Sequence, residues 1–198
     1  MNENRFLITQ SLLSSYGWIF KKENGYEDFL DTLHRKRGKQ TQAMLDGTQF
    51  ENLVTEYCNG NPPEDGHKWE NGVKGVGNIV KNGAFQVKVA RNVTVNGVQF
   101  ILYGILDVLK GGEIFDIKFS KTYSYGKYLD SPQHPMYLAL CPEAVSFTYL
   151  ISDGKDVCKE PYRRENVLPI ENEIAEFMQF LDERNLVSVY VDKWRSKY

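Results

Sequence analysis

Residues Val98–Phe119, VQFILYGILDVLKGGEIFDIKF, decide the fold. Aliphatic and aromatic residues dominate both halves, and Gly111 and Gly112 between them suit the left-handed backbone of a two-residue hairpin turn. Counting outward from that turn pairs Lys110 with Glu113, Leu109 with Ile114, Val108 with Phe115 and Asp107 with Asp116. Side chains alternate along a strand. Asp116 and Lys118 are therefore expected on the face of Asp107, with Leu106, Val108, Phe115, Ile117 and Phe119 on an opposite, wholly apolar face. Like charges directly opposed in a strand pair are destabilising, so a hydrophobic sheet that carries them calls for a compensating cation. Two aspartates and a backbone carbonyl offer oxygen alone, which suits Mg²⁺ or Mn²⁺ better than zinc. Lys118 stands where it can orient or help deprotonate an attacking water, or stabilise charge developing on phosphorus. The same periodicity is equally compatible with an exposed hairpin face on which two acids and a lysine form a solvated salt bridge.

Upstream, Phe85–Val95 alternates and is joined to Val98 by Asn96-Gly97, a strong hairpin signal, which completes a three-stranded antiparallel meander. Before it, apolar residues at helical spacing predict helices over Thr9–Phe20, Tyr26–Lys36 and Thr41–Tyr57. Residues 59–83, rich in Gly, Asn and Pro, read as a long loop or a short ordered excursion. Downstream, a polar Tyr-rich connection leads to Ser131-Pro132, an N-cap followed by a first-turn proline, and a helix to about Leu140. A strand over Val145–Ile151, a turn at Asp153-Gly154 and an amphipathic helix over Ile170–Arg184 follow, with Trp194 read as packing. The expected fold is α/β, one domain over residues 1–198. An α-β-β-β-α-β core with a mixed sheet of four or five strands carries N-terminal helices (about 9–57) and a C-terminal helical extension (about 170–198).

A chain of 198 residues, 41% hydrophobic and 13% aromatic, can bury one sizeable core. Its net charge of -2 gives no global attraction for a polyanion, so a nucleic-acid site has to be a local basic patch. No run approaches the roughly 18 apolar residues of a membrane span, and the first residues lack a basic segment followed by an apolar one. The expectation is a soluble, cytoplasmic protein with no membrane partner. Cys58, Cys141 and Cys158, an odd number without CxxC spacing, suggest neither a disulfide framework nor a zinc finger.

Asp107 followed across a hairpin by Asp116-Ile117-Lys118, within that element order, resembles the PD-(D/E)XK nuclease superfamily. The nearer likeness is to its RecB-type branch, which includes CRISPR-associated and phage recombination exonucleases. That branch has Gly-x-x-x-His/Glu on a helix before the sheet, matched by Gly47 to Glu51, and Gln-x-x-x-Tyr on the helix after the lysine, matched by Gln133 to Tyr137. SLLSSYGWIF is similar, weakly, to its opening helix. The resemblance implies a restriction-endonuclease-like core. It makes Glu51, Asp107 and Asp116 ligands of Mg²⁺ or Mn²⁺ with the Ile117 carbonyl assisting, and Lys118 catalytic. Gln133 and Tyr137 would border the site and contact DNA or the lysine. Leu106 stands where the family name has Pro, and Glu51 where many members have His. No iron–sulfur cluster is expected, because the subgroup that carries one needs four cysteines.

The implied function is metal-dependent hydrolysis of DNA, by an exonuclease of recombination, repair or phage DNA processing in a bacterial or phage-infected cell. DNA, including a single-stranded segment, and a recombination protein are the implied partners. A catalytically silent nucleic-acid-binding module and a site-specific endonuclease are the alternatives. The run containing Arg35 and Arg37 reads as a phosphate contact or as a solvated helix end. Tyr123, Tyr125 and Tyr128, interleaved with Lys121 and Lys127, read as a stacking surface for a single strand or as ordinary loop packing.

Overall fold

In a computed structural model that describes residues 5–36 and 38–196, the chain opens with β1 (Phe6–Thr9), α1 (Gln10–Gly17), α2 (Gly25–Leu33), α3 (Gln42–Cys58) and α4 (Glu70–Val80). The central strands follow: β2 (Ala84–Val95), β3 (Val98–Lys110) and β4 (Glu113–Phe119). After them come α5 (Gln133–Leu140), β5 (Ser146–Ser152), β6 (Val157–Arg163), α6 (Ile170–Glu183) and α7 (Val187–Trp194). Among the described residues, six strands form one mixed sheet flanked by seven helices. The expected α-β-β-β-α-β core is α3-β2-β3-β4-α5-β5, and the arrangement is consistent with a restriction-endonuclease-like fold.

The hairpin turns at Gly111 and Gly112, with φ of 59° and 78°, and pairs Lys110 with Glu113, Leu109 with Ile114 and Val108 with Phe115, as counted from the sequence. β2 pairs antiparallel with β3 along its length. The other edge of β3 is shared: β1 runs parallel beside Phe100–Tyr103, and β4 takes Val108–Lys110. Residues 104–107 between them have no ladder partner on that edge among the described residues. β4 instead pairs parallel with β5 over all seven residues, and β6 closes the sheet antiparallel to β5.

Local chemistry sets the helix starts. The hydroxyls of Thr9 and Thr41 accept the N–H groups of Leu12 and Met44, both at 3.3 Å, and the Ser131 hydroxyl accepts that of Gln133 at 3.3 Å. One face of the sheet packs Phe100, Leu102, Leu106 and Phe147 against Leu12, Phe29, Met136, Phe177 and Tyr190 of α1, α2, α5, α6 and α7. The other packs Val108, Phe115, Ile117 and Leu150 against Phe50 and Val54 of α3 and Val73, Val76 and Val80 of α4.

Four expectations change. The segment 59–83 is not a loop throughout, because α4 fills half of it. Its apolar stripe is interrupted by glycines that lower helix propensity but permit close packing; a Cβ at Gly77 would lie 2.3 Å from the Tyr57 ring. The sheet has six strands rather than four or five. β1 is only four residues long, and β6, VCKEPYR, lacks a clean alternation and contains a proline. The C-terminal helical extension contains a second helix, α7, beyond the single helix read over Ile170–Arg184. Finally, Leu106 and Val108 do not share one apolar face: Leu106 packs with Ile114 in the first core, and Val108 with Phe115 and Ile117 in the second. The faces switch between them, opposite Gln86 with its φ of 51°, so both faces carry core. Among the described residues no helix is long and apolar enough to cross a membrane.

α7 is fastened to the N-terminal elements by Trp194 Nε1–H, which donates to the Leu33 carbonyl at 2.8 Å, and by the Tyr190 hydroxyl, which donates to Leu7 O at 3.1 Å. Trp194→Phe leaves a buried carbonyl unpaired, at a cost of about 2 kcal/mol, which lowers Tm by roughly 4–8 °C in a chain of this size. Thermal unfolding followed by circular dichroism checks this; an unchanged Tm would contradict the docking.

Candidate active site

The site lies where β3 and β4 part company. Beyond Val108 and Phe115 the ladder stops, and Asp107 and Asp116, expected to face each other as a ladder pair, do not. Asp107 Oδ2 instead accepts the Ile117 N–H at 2.9 Å, where a regular hairpin would supply a backbone carbonyl. Opposite this break, β2 is also irregular. Phe85 pairs with Val108 and Val87 with Leu106, while Gln86 between them adopts a φ of 51°. Its amide donates to Glu51 Oε1, so a kink in β2 holds the carboxylate that α3 delivers.

Asp116 is 1% exposed. Gln133 Nε2 from α5 donates to its Oδ1, and Lys118 Nζ forms an ion pair with its Oδ2 at 2.7 Å. Tyr137, one helical turn after Gln133, is buried against the same acids. Its ring reaches them because position 104 is glycine: a Cβ there would lie 2.7 Å from Tyr137 Cε1 and 3.0 Å from Leu140 Cδ1. The structure thus brings Glu51, Asp107, Asp116, Lys118, Gln133 and Tyr137 together.

Electrostatics follow from that crowding. Burial raises the Asp107 carboxyl well above its ordinary range, and the charges of Asp116 and Glu51 push it further, against Lys118 and the Ile117 N–H. Burial and Asp116 raise Glu51 in the same sense, opposed by Lys118 and Gln86. Burial disfavours the Lys118 charge, but Asp116 and Asp107 outweigh it and hold the ammonium above the usual lysine value. Tyr137 is pushed up to about 12 by burial and then by Asp116 and Asp107. Three carboxylates face one lysine, so the site carries more negative charge than its own cation balances.

The other sequence candidates stand apart from the acids or serve the packing. Lys121 is exposed, and Tyr125 is 79% exposed. The Tyr123 hydroxyl donates to Glu160 at 2.5 Å, and its ring stacks on Tyr128 at 6.3 Å; Tyr128 stacks in turn on Tyr149 at 4.4 Å. Arg35 lies with its guanidinium 4.0 Å from the Trp194 ring centre, and Arg37 falls outside the described residues. His134 stacks on Tyr162 at 3.9 Å, and burial pulls its pKa down to about 4, against Glu160.

Sequence reasoning missed three contributors. Gln86 sits in an unremarked alternation, and nothing near it flags the kink. Gly104, a lone glycine inside a strand, carried the usual signal of close approach. Glu160 lies on β6, which was not read as a strand. It is 2% exposed and accepts the hydroxyls of Tyr123 and Tyr162 and the Tyr128 N–H. Asp116, Tyr149 and Glu160 are successive partners across β4, β5 and β6, so Glu160 pins the connection after Lys118 to the sheet beside the site.

Three carboxylates without sulfur or imidazole match a hard divalent cation in donor chemistry. Their oxygens are not yet gathered: among the described residues no three acidic, histidine or cysteine side chains close on one point. Each acid holds a protein partner instead: Gln86 for Glu51, the Ile117 N–H for Asp107, and Gln133 with Lys118 for Asp116.

No protein-family description and no curated protein matches the chain. Among solved structures it is similar to SSO0001, at 12% identity over 91% of this chain and 79% of that one, with a TM-score of 0.57, a likeness of fold. It is also matched to LHK-Exo in complex with dAMP, at 15% identity over 89% and 88% of the two chains, with a TM-score of 0.48.

The raised carboxyls give a signed pH dependence. Folding holds protons on Asp107 and Glu51 that the unfolded chain releases. Their penalty is therefore absent below the ordinary carboxylate range, grows as pH rises, and is complete above the folded-state values. In EDTA, Asp107→Asn removes one of the crowded charges and keeps an acceptor for Ile117. Discounted for partial exposure, the gain at neutral pH is about 1 kcal/mol, or roughly 2–4 °C in Tm. The wild-type Tm falls more steeply than that of the variant as pH rises above the ordinary carboxylate range of about 4. A variant that melts below the wild type at neutral pH would contradict the crowding.

Proposed function

We propose that this chain is a metal-dependent nuclease that hydrolyses phosphodiester bonds of DNA. Glu51, Asp107 and Asp116 hold Mg²⁺ or Mn²⁺ with the Ile117 carbonyl assisting, and Lys118 acts as the catalytic cation. The observation that carries this reading is the break between β3 and β4, which gathers two aspartates, a glutamate and an ion-paired lysine in one partly buried place. A divalent ion there supplies Lewis-acid polarisation of a phosphoryl oxygen and of the attacking water.

The chain's own residues supply position and charge. Lys118, held 2.7 Å from Asp116, stays an ammonium and stabilises the negative charge that builds on phosphorus as the water oxygen bonds to it. The phosphorus–oxygen ester bond then breaks, and the leaving oxygen takes up, through solvent, the proton that the attacking water gives up. Gln133 fixes the rotation of the Asp116 carboxylate, and Tyr137 closes the apolar side of the site. Gln86 keeps Glu51 near the other acids until a cation competes for it. The Gln-x-x-x-Tyr motif on α5 supports an exonuclease of recombination, repair or phage DNA processing within this reading.

Degradation of linear and closed circular DNA with Mg²⁺, Mn²⁺ or EDTA tests it. Linear DNA is lost only with metal, the circle survives, and Lys118→Ala and Asp107→Ala each cut the rate by about 10² or more. Activity that survives both substitutions would overturn the site. Discrete fragments from the circle would make the enzyme an endonuclease, and inactivity with every metal would favour a binding module of the same fold.

A further inference from the structure

Away from the acids, the surface holds a cleft of about 840 Å³ ringed by Arg5, Arg35, Arg91, Lys193 and Arg195. Among the described residues no carboxylate lines it, and Lys193 forms an ion pair with Asp192 at 3.0 Å. In a chain of net charge -2 this is a local inversion of sign, the kind of patch that a polyanion requires and the total charge conceals. Two of the cations are held in place by the fold. Arg35 lies over Trp194, and Arg91 donates to the Ala139 carbonyl at 2.7 Å, leaving further guanidinium N–H groups available to each.

The cleft is continuous with the candidate site through the pleat of two strands. Its floor includes Ile101 and Tyr103 on β3 and Ala90 and Asn92 on β2, which share the face opposite Phe100 and Leu102. The same alternation, carried along both strands, reaches Ile105 on β3 and Lys88 on β2, and stops next to Asp107 and to the kink at Gln86, where the faces switch. Asp107 is one of the acids, and Gln86 holds another. Along the way Ala90, Asn92 and Lys88 are exposed, and Ile101, Tyr103 and Ile105 are partly so. The span from Tyr103 or Ile101 to Asp107 is four or six residues, roughly 13–20 Å at strand rise.

We infer that this open ribbon is a track for the phosphate backbone of a DNA strand, with the basic cleft gripping it some distance from the bond at the acids. Tyr103 presents a partly exposed ring at the floor, suited to stacking against a base. The inference rests on the nuclease reading for the identity of its ligand, and it assigns to Arg5, Arg91, Lys193 and Arg195 a role that no motif announced.

Fluorescence anisotropy of a labelled DNA strand of about 20 nucleotides, titrated with the full chain in EDTA over a salt series, tests the track. The double reversal Lys193→Glu with Arg195→Glu lowers affinity by about tenfold or more, and the slope of log K against log salt becomes shallower by about 2. Lys88→Glu, an exposed change midway along the ribbon, weakens binding in the same direction with an unaltered Tm, and stands in should the double variant misfold. Unchanged affinity and slope in both variants would overturn the inference. So would displacement of the DNA by polyglutamate as readily as by unlabelled DNA, which would assign the cleft to acidic proteins. Because binding is read without metal, absent cleavage refutes the proposed reaction and leaves the track, whereas unaltered binding refutes the track and leaves the reaction.

Discussion

The hydrogen bond from the Ile117 N–H to Asp107 Oδ2 is the interaction on which the site depends. A hairpin that continued its ladder would set Asp107 directly against Asp116, with like charges side by side and no room between strands. Substituting a side-chain acceptor for a backbone one lets β4 leave β3 without orphaning an N–H group. β4 goes on along β5, which it pairs with on its other edge, and the gap that opens collects Glu51 from α3 and Gln133 and Tyr137 from α5. The cost is a concentration of carboxylates that Lys118 only partly offsets, the arrangement expected of a site meant for another cation.

The rest of the fold keeps that gap open. Cores on both faces of the sheet hold α3 on one side and α5 on the other, so their acid and amide reach the break from opposite directions. Glu160, deep in β6, accepts from three donors of the connection after Lys118 and of its own strand, which fixes the chain as it leaves Lys118. Gly104 admits the Tyr137 ring against β3. None of these contacts touches the acids directly, yet each restricts where they lie.

What the sequence made legible was the periodic and the local. The Gly111-Gly112 turn set the hairpin register through Val108 and Phe115, and the threonine caps began α1 and α3 where expected. Glu51, Asp107, Asp116 and Lys118 were readable as a group through the order and spacing of the motifs they resemble. What escaped depends on tertiary context. α4 hides its stripe among glycines whose use is close packing, β1 is too short for any period to show, and Gln86 acts through a kink that a regular alternation gives no hint of. The departure of Asp107 from its counted partner belongs to the same class, because alternation rules describe a continuing ladder and say nothing of where it ends.

The central claim, that the break between β3 and β4 is a cation site, is tested most directly by calorimetric titration of Mn²⁺ into the wild-type chain and into Asp116→Asn. The account predicts saturable binding to the wild type and its loss in the variant. It also predicts a Tm for the wild type that climbs with metal, by about 2.7 kcal/mol of stabilisation at a hundredfold excess over Kd. A wild-type chain that binds neither Mn²⁺ nor Mg²⁺, or a variant that binds as tightly as the wild type, would contradict it.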